Sequence, residues 1–194
     1  MRSRTVSVAD LATSDLEPIT REEAKKQCEI GLDDPAHDEH IDALTTLARE
    51  IVEDDTMTLL VSRTVTEKFP YFPDCFELRY RPVSSITSIT YYDSSNALQT
   101  WSSSNYQSDL TQGEIYYAYN ATLPSTYDRL DAVIVTYVAG YSSQSTVPEK
   151  FKQMMKLQLA YAFERRNMTE NEAVGGGQRA YETLARRYMR STYP

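Results

Sequence analysis

The sequence predicts an α+β chain: a small α-helical bundle of two N-terminal and two C-terminal helices, with an antiparallel β-domain inserted between helices 2 and 3. Two observations carry this. Capped stretches with helical periodicity occupy about residues 20–57 and return from Pro148 onward. Between them the texture changes to short runs rich in Val, Ile, Thr and Tyr, broken by Pro, Asn, Ser and Gly. A third supports them: 194 residues with 41% hydrophobic and 25% charged side chains are ordinary globular composition, able to form a core without disulfide or metal staples.

Taken in order, residues 1–18 lack periodicity and read as an extended arm ending at Pro18. A helical pair follows over 19–58. Thr20-Arg21-Glu22-Glu23 is a capping box that opens the first helix, and Gly31 is expected to close it before the Asp33-Asp34-Pro35 turn. The second helix runs from about Asp38 to Met57. Ile41, Leu44, Ala48, Ile51 and Val52 form its apolar stripe, and Asp42, Thr45, Arg49, Glu53 and Asp54 are expected to face mostly water. The β insertion covers 59–147, with strands at 60–68, 75–80, 85–92, 97–101, 114–119 and 131–138. Asp93-Ser94-Ser95-Asn96 has hairpin-turn chemistry, and the run from Ala132 to Val138 suits a central strand. Pro148 then opens a helix over 148–166 that is apolar on most sides and belongs between neighbours. Residues 167–194 read as a hinge, with Gly175-Gly176-Gly177, and a last helix over about Gln178–Arg190. Tyr181, Leu184, Ala185, Tyr188 and Met189 form one face of that helix, and Arg179, Arg186 and Arg190 fall on another.

The net charge is -8, unevenly distributed. Residues 1–60 carry 6 basic and 15 acidic side chains, whereas residues 148–194 carry 9 basic and 5 acidic ones. An acidic start and a basic end suit a polar molecule with two kinds of neighbour. Fifteen Tyr beside five Phe and one Trp favour surfaces that are both apolar and hydrogen-bonding. The longest apolar run is far too short to span a bilayer, so no membrane partner is expected. No apolar signal core follows Met1-Arg2-Ser3-Arg4, and Cys28 and Cys75 read as buried thiols of a reducing compartment.

Motifs for chemistry are weak. His37 and His40 stand three apart at a helix start but fit neither H-E-x-x-H nor H-x-x-E-H, so no metal site is assigned. Gly140-Tyr141-Ser142-Ser143-Gln144 lacks the final Gly of a nucleophile elbow, and the triple Gly precedes no Lys-Ser/Thr of a phosphate loop. Paired carboxylates sit on helix ends as solvated charge, and the sequons at Asn120 and Asn167 carry no meaning without secretion. No catalytic residue and no cofactor are assigned, and the chain is not expected to be an enzyme.

The order of the segments resembles the head–tail connector (head-completion adaptor) family of long-tailed bacteriophages. Thr20–Lys25 reads T-R-E-E-A-K, like that family's first helix. Asp33-Asp34 precedes Leu47-Ala48-Arg49 and Val52-Glu53, similar to its L-x-A-R-x-x-V-E helix. Arg81–Asp93, R-P-V-S-S-I-T-S-I-T-Y-Y-D, is the most specific match, with Asn96 where a Gly is usual and Arg63 in place of a first-strand Gln. Val135–Tyr141, Val147-Pro148 and Phe163-Glu164-Arg165-Arg166 follow collinearly, and Leu184–Tyr188 matches weakly.

The resemblance implies a structural virion protein at the head–tail interface, assembled in the host cytoplasm. It implies a ring of about twelve subunits under the portal protein, extending the channel for passing double-stranded DNA and docking a downstream stopper or tail-completion protein. It places portal docking on Arg179, Tyr181, Leu184, Arg186, Arg187, Tyr188 and Arg190. Asp42, Glu53 and Asp54 are expected to line the channel, where like charge lowers affinity for phosphate. The alternative is a soluble nucleic-acid-binding module that uses the basic C-terminal helix.

Overall fold

The computed structural model describes residues 4–10, 17–165 and 176–188. Among these the chain is α+β, with four α-helices and two antiparallel sheets. The described residues divide into two compact units: those within 14–61 and 141–194 hold the helices, and those within 1–13 and 62–140 hold the sheets.

In the helical unit, α1 (Arg21–Gln27) begins as the capping box predicts. Thr20 Oγ1 accepts from the Glu23 amide at 3.1 Å, and the Glu23 carboxylate accepts from the Thr20 amide at 2.9 Å. The helix does not close at Gly31. Glu29 takes the left-handed conformation (φ 57°), while its amide reaches the Lys26 carbonyl and the Ile30 amide reaches the Lys25 carbonyl, a Schellman motif without glycine. α2 (Asp38–Thr56) ends with Met57 in the same left-handed region. α3 (Glu149–Arg165) and α4 (Gly176–Tyr188) complete the unit. One core joins all four: Ala24 from α1; Ile41, Leu44, Ala48 and Val52 from α2; Phe151, Met154, Met155 and Leu159 from α3; Tyr181 and Ala185 from α4.

The polar side of α2 departs from expectation. Thr45, Arg49 and Glu53 are buried rather than wet. The Arg49 guanidinium donates to Glu17 at 2.9 Å and to Glu53 at 3.0 Å, and Glu53 also accepts from the Leu60 amide at 2.7 Å. Periodicity reads charge as solvent-facing, and here an internal ion pair plus a backbone donor compensate the burial.

In the other unit, β1 (Thr5–Val8), β2 (Arg63–Phe69), β8 (Val133–Ala139), β4 (Val83–Tyr92) and β5 (Leu98–Thr100) form a five-stranded sheet in that order. β3 (Phe76–Glu77), β7 (Glu114–Tyr117) and β6 (Tyr106–Asp109) form a three-stranded one. β8 is the central strand, with an alternating burial pattern. β4 shows two register shifts against it, between Val83 and Ser85 and between Ile86 and Ser88, which account for the imperfect alternation of Ile86–Tyr92. Both sheets have short edge strands of two to four residues: β1 and β5 flank the larger sheet, β3 and β6 the smaller.

Two strands escaped the sequence pattern. β1 lies in the segment read as an irregular arm, and β6 (Tyr-Gln-Ser-Asp) has no apolar alternation. The predicted hairpin forms. Asp93 Oδ1 accepts from the Ser95 and Ala97 amides at 2.9 and 3.0 Å, and Asn96 supplies the left-handed residue at φ 60°. An aromatic cluster fills this unit. Phe72 packs edge-on against Phe76, Tyr91 and Trp101, and Trp101 stacks on Tyr106.

Candidate interaction surfaces

The family-like motifs prove to be framework. Tyr137, inside the V-x-Y-x-A-G-Y segment, is fully buried and donates its hydroxyl to the fully buried Glu67 carboxylate at 2.5 Å. The same carboxylate accepts from the Arg79 amide at 2.7 Å and is paired with Arg4 beside β1. Burial pushes the Tyr137 hydroxyl up to about 12, which keeps its proton in place for this bond. Arg81-Pro82 is a cis peptide, and the Pro82 carbonyl accepts from the Gly140 amide at 2.8 Å. Asp93 serves the hairpin turn, and hydrogen bonding from the Ala97 amide holds its carboxyl below the usual range.

His37 and His40 both rest against the Phe163 ring, with centroids at 6.3 and 6.1 Å. Among the described residues no three His, Cys, Asp or Glu side chains come together. No described helix is long and apolar enough to cross a membrane. Cys28 and Cys75 are not joined in a disulfide and are half-buried rather than buried, and burial raises the Cys75 thiol above its ordinary value. Gly175, the Asn167 sequon, Arg166, Met189 and Arg190 lie outside the described residues.

On α4 the expected docking residues separate onto two faces. Tyr181 is 3% exposed and donates its hydroxyl to Asp55 of α2 at 2.5 Å. Leu184 packs on the helical core, and the Tyr188 ring lies 6.0 Å from Phe151 with the Lys150 ammonium over it at 4.0 Å. These three side chains turn toward the helix's own unit, so they are not an outward surface of α4 in this arrangement. Arg179, Arg186 and Arg187 are exposed, at the i, i+7, i+8 spacing of one outer stripe. A cleft of about 460 Å³ lies alongside, lined by Ile51, Asp55, Gln158, Tyr161, Tyr181 and Arg186 among others.

On α2 the three expected acidic residues likewise part. Asp54 is exposed. Asp42 is exposed and bonded by Arg21 at 2.5 and 2.8 Å. Glu53 is only 4% exposed and bound to Arg49 and the Leu60 amide, so the structure removes it from any channel-facing set. The outer stripe of α2 instead reads Glu39, Ala43, Leu47, Glu50 and Asp54, at i, i+4, i+8, i+11 and i+15. Leu47, which the helical pattern did not single out, is 43% exposed in its middle.

A further surface is apolar. Tyr116 on β7 is exposed, as are Tyr119, Leu123, Tyr127 and Leu130 in the segment that joins β7 to β8. Arg129 anchors its base, with its guanidinium 3.7 Å from the Tyr92 ring centre and bonded to Asp131 at 2.6 Å. Tyrosine abundance was the sequence signal that pointed here, although Tyr91, Tyr106, Tyr117 and Tyr137 are structural members of the same count.

These features define a class of α+β protein: a helical unit interrupted by a β unit, with charged and apolar side chains exposed on each. Solved structures share that fold over their full length. A chain from the neck of an empty gene transfer agent particle, computed with C6 symmetry, matches at a TM-score of 0.75 and 18% identity, covering 98% of this chain and 97% of that one. A chain from the virion of a native gene transfer agent particle gives 0.74 at 17% identity, covering 97% of each. One from the neck of a native particle, computed with C12 symmetry, gives 0.70 at 17% identity, covering 98% and 97%. No family model and no curated protein matches the sequence.

Proposed function

We propose that this chain is a structural neck protein of a phage-like particle, a head–tail adaptor that forms a ring beneath the portal and docks the next head-completion or tail protein. The observation that carries this reading is the end-to-end likeness to neck and virion chains of the gene transfer agent, which spans both units and leaves no appended domain unmatched. The likeness covers the helical frame and the β insertion together, the same order of segments that the collinear motifs suggested from the sequence. Charge supports a role with two neighbours: an acidic α2 face and a basic α4 face lie on one unit.

Of the acidic side chains expected at a DNA channel, Asp42 is exposed and is the one this reading places there. Mass photometry with negative-stain imaging, on the chain alone and mixed with the portal protein of its own particle, tests this. The expected product is a ring of about 270 kDa for twelve copies of 22.2 kDa, alone or on the portal. A chain that ignores the portal but binds duplex DNA with steep salt dependence, lost when Arg179, Arg186 and Arg187 are neutralised, overturns the reading in favour of a nucleic-acid module.

A further inference from the structure

The outer stripes of α2 and α4 are complementary in three respects. In sign, α2 presents Glu39, Glu50 and Asp54, and α4 presents Arg179, Arg186 and Arg187, all exposed. In reach, the α2 stripe spans fifteen positions from Glu39 to Asp54 and the α4 arginines span eight, about 22 and 12 Å of helix axis, so the arginines fit within the acidic stripe. In texture, Ala43 and the exposed Leu47 sit between the α2 carboxylates, and Ala180 and Thr183 lie beside the α4 arginines. Each helix thus carries a thin, low-profile centre with charge at its rim, the composition of a packable helix face.

The charges are also available. Among the described residues Glu39, Asp54, Arg179, Arg186 and Arg187 make no ion pair, and Glu50 has only a long contact of 3.7 Å from Arg49. By contrast Asp42 is engaged by Arg21, Glu53 by Arg49, and Lys156 by Glu23. The fold satisfies these three charges internally and leaves the two stripes open. Both stripes face away from the core that the four helices share, since the inward positions are Ile41, Leu44, Ala48 and Val52 on one helix and Tyr181 and Ala185 on the other.

We propose that the occupant of the α2 stripe is the α4 stripe of a second copy of this chain. The contact is heterologous: one copy's acidic face meets the next copy's basic face, leaving an unused face of each kind at the ends, so that repetition closes a ring or extends a filament. This rests on the adaptor reading only for the claim that the product is a closed ring. The pairing itself follows from the two faces.

The test is sedimentation and mass photometry of the full chain and two charge-reversed variants, E39K/E50K/D54K and R179E/R186E/R187E, at about 50 and about 300 mM salt. The wild type is expected to self-associate at low salt, with at least a tenfold weaker apparent affinity at high salt. Each variant alone is expected to stay monomeric. An equimolar mixture of the two is expected to regain assembly, because the lysine-bearing α2 then meets the glutamate-bearing α4 and the native stripes meet each other. A wild type that stays monomeric, variants that assemble like the wild type, or a mixture that stays monomeric each overturn the contact. So does a monomeric wild type whose arginine stripe binds a DNA duplex. Assembly through some other surface leaves the adaptor reading intact while removing this contact. Restored assembly of a chain that never enters a neck does the reverse.

Discussion

Glu67 is the residue on which the β unit is most exposed to error. A carboxylate with no solvent exposure costs several kcal/mol unless its oxygens are filled, and here the Tyr137 hydroxyl, the Arg79 amide and the Arg4 guanidinium fill them. Arg4→Ala is expected to destabilise by about 2–3 kcal/mol in urea unfolding, and Arg4→Ala/Glu67→Gln to recover part of that loss. Equal stability of Arg4→Ala and wild type would show that Arg4 is dispensable. Glu23 makes the complementary case in acid. The Thr20 amide, and then Lys156, hold its carboxyl below the usual range. Its contribution is therefore complete above the unfolded value of about 4.3 and is lost as the pH falls through the lower folded value. The stability gap between wild type and Glu23→Gln is expected to narrow between pH 6 and pH 3. A constant gap would remove the linkage. The capping box was legible because its spacing is local. The Glu67 cluster was not, since its members stand 63 and 70 positions away from it in sequence and only the sheet brings them together.

Local chemistry decides element ends, and tertiary packing decides element faces. α1 closes on Glu29 in the left-handed region, a conformation that costs an L-residue about 1 kcal/mol relative to glycine. Glu29→Gly is expected to raise stability by about 0.5–1 kcal/mol, seen as a higher urea midpoint at unchanged slope. A lower midpoint would mean that the side chain contributes elsewhere. The α4 periodicity identified the helix and its apolar face, but an apolar face does not say which unit it will cover. In the structure it covers its own. Burial and the bond to Asp55 together raise the Tyr181 hydroxyl well above the usual phenol range. Tyr181→Phe is expected to weaken α4 docking by about 1.4 kcal/mol, read as roughly tenfold faster hydrogen exchange of the 176–188 amides. In the wild type the same loss sets in only as the pH rises through the raised Tyr181 value, because the bond is complete below the unfolded phenol value near about 10. The bulges of β4 mark the other limit of pattern reading, since two register shifts scramble an alternation that the chain otherwise keeps.

At the scale of the molecule, the sequence carried the architecture better than the surfaces. The helix–strand–helix order and the central β8 followed from composition and periodicity, which each segment states about itself. The exposure of Leu47, the burial of Glu53 and the inward turn of Tyr181 depend on what lies opposite, which no segment states. The uneven charge was legible as a total, but only the fold sorts it into spent pairs and open stripes. The edge strands have a consequence of their own for how copies of this chain can meet. Among the described residues none exceeds four residues, so these strands offer no long row of bare amides and carbonyls to a neighbour. Copies brought to high local concentration would thereby be steered away from zipping into cross-strand aggregates, and any association would fall to side chains, which salt can tune and which release a misplaced partner readily.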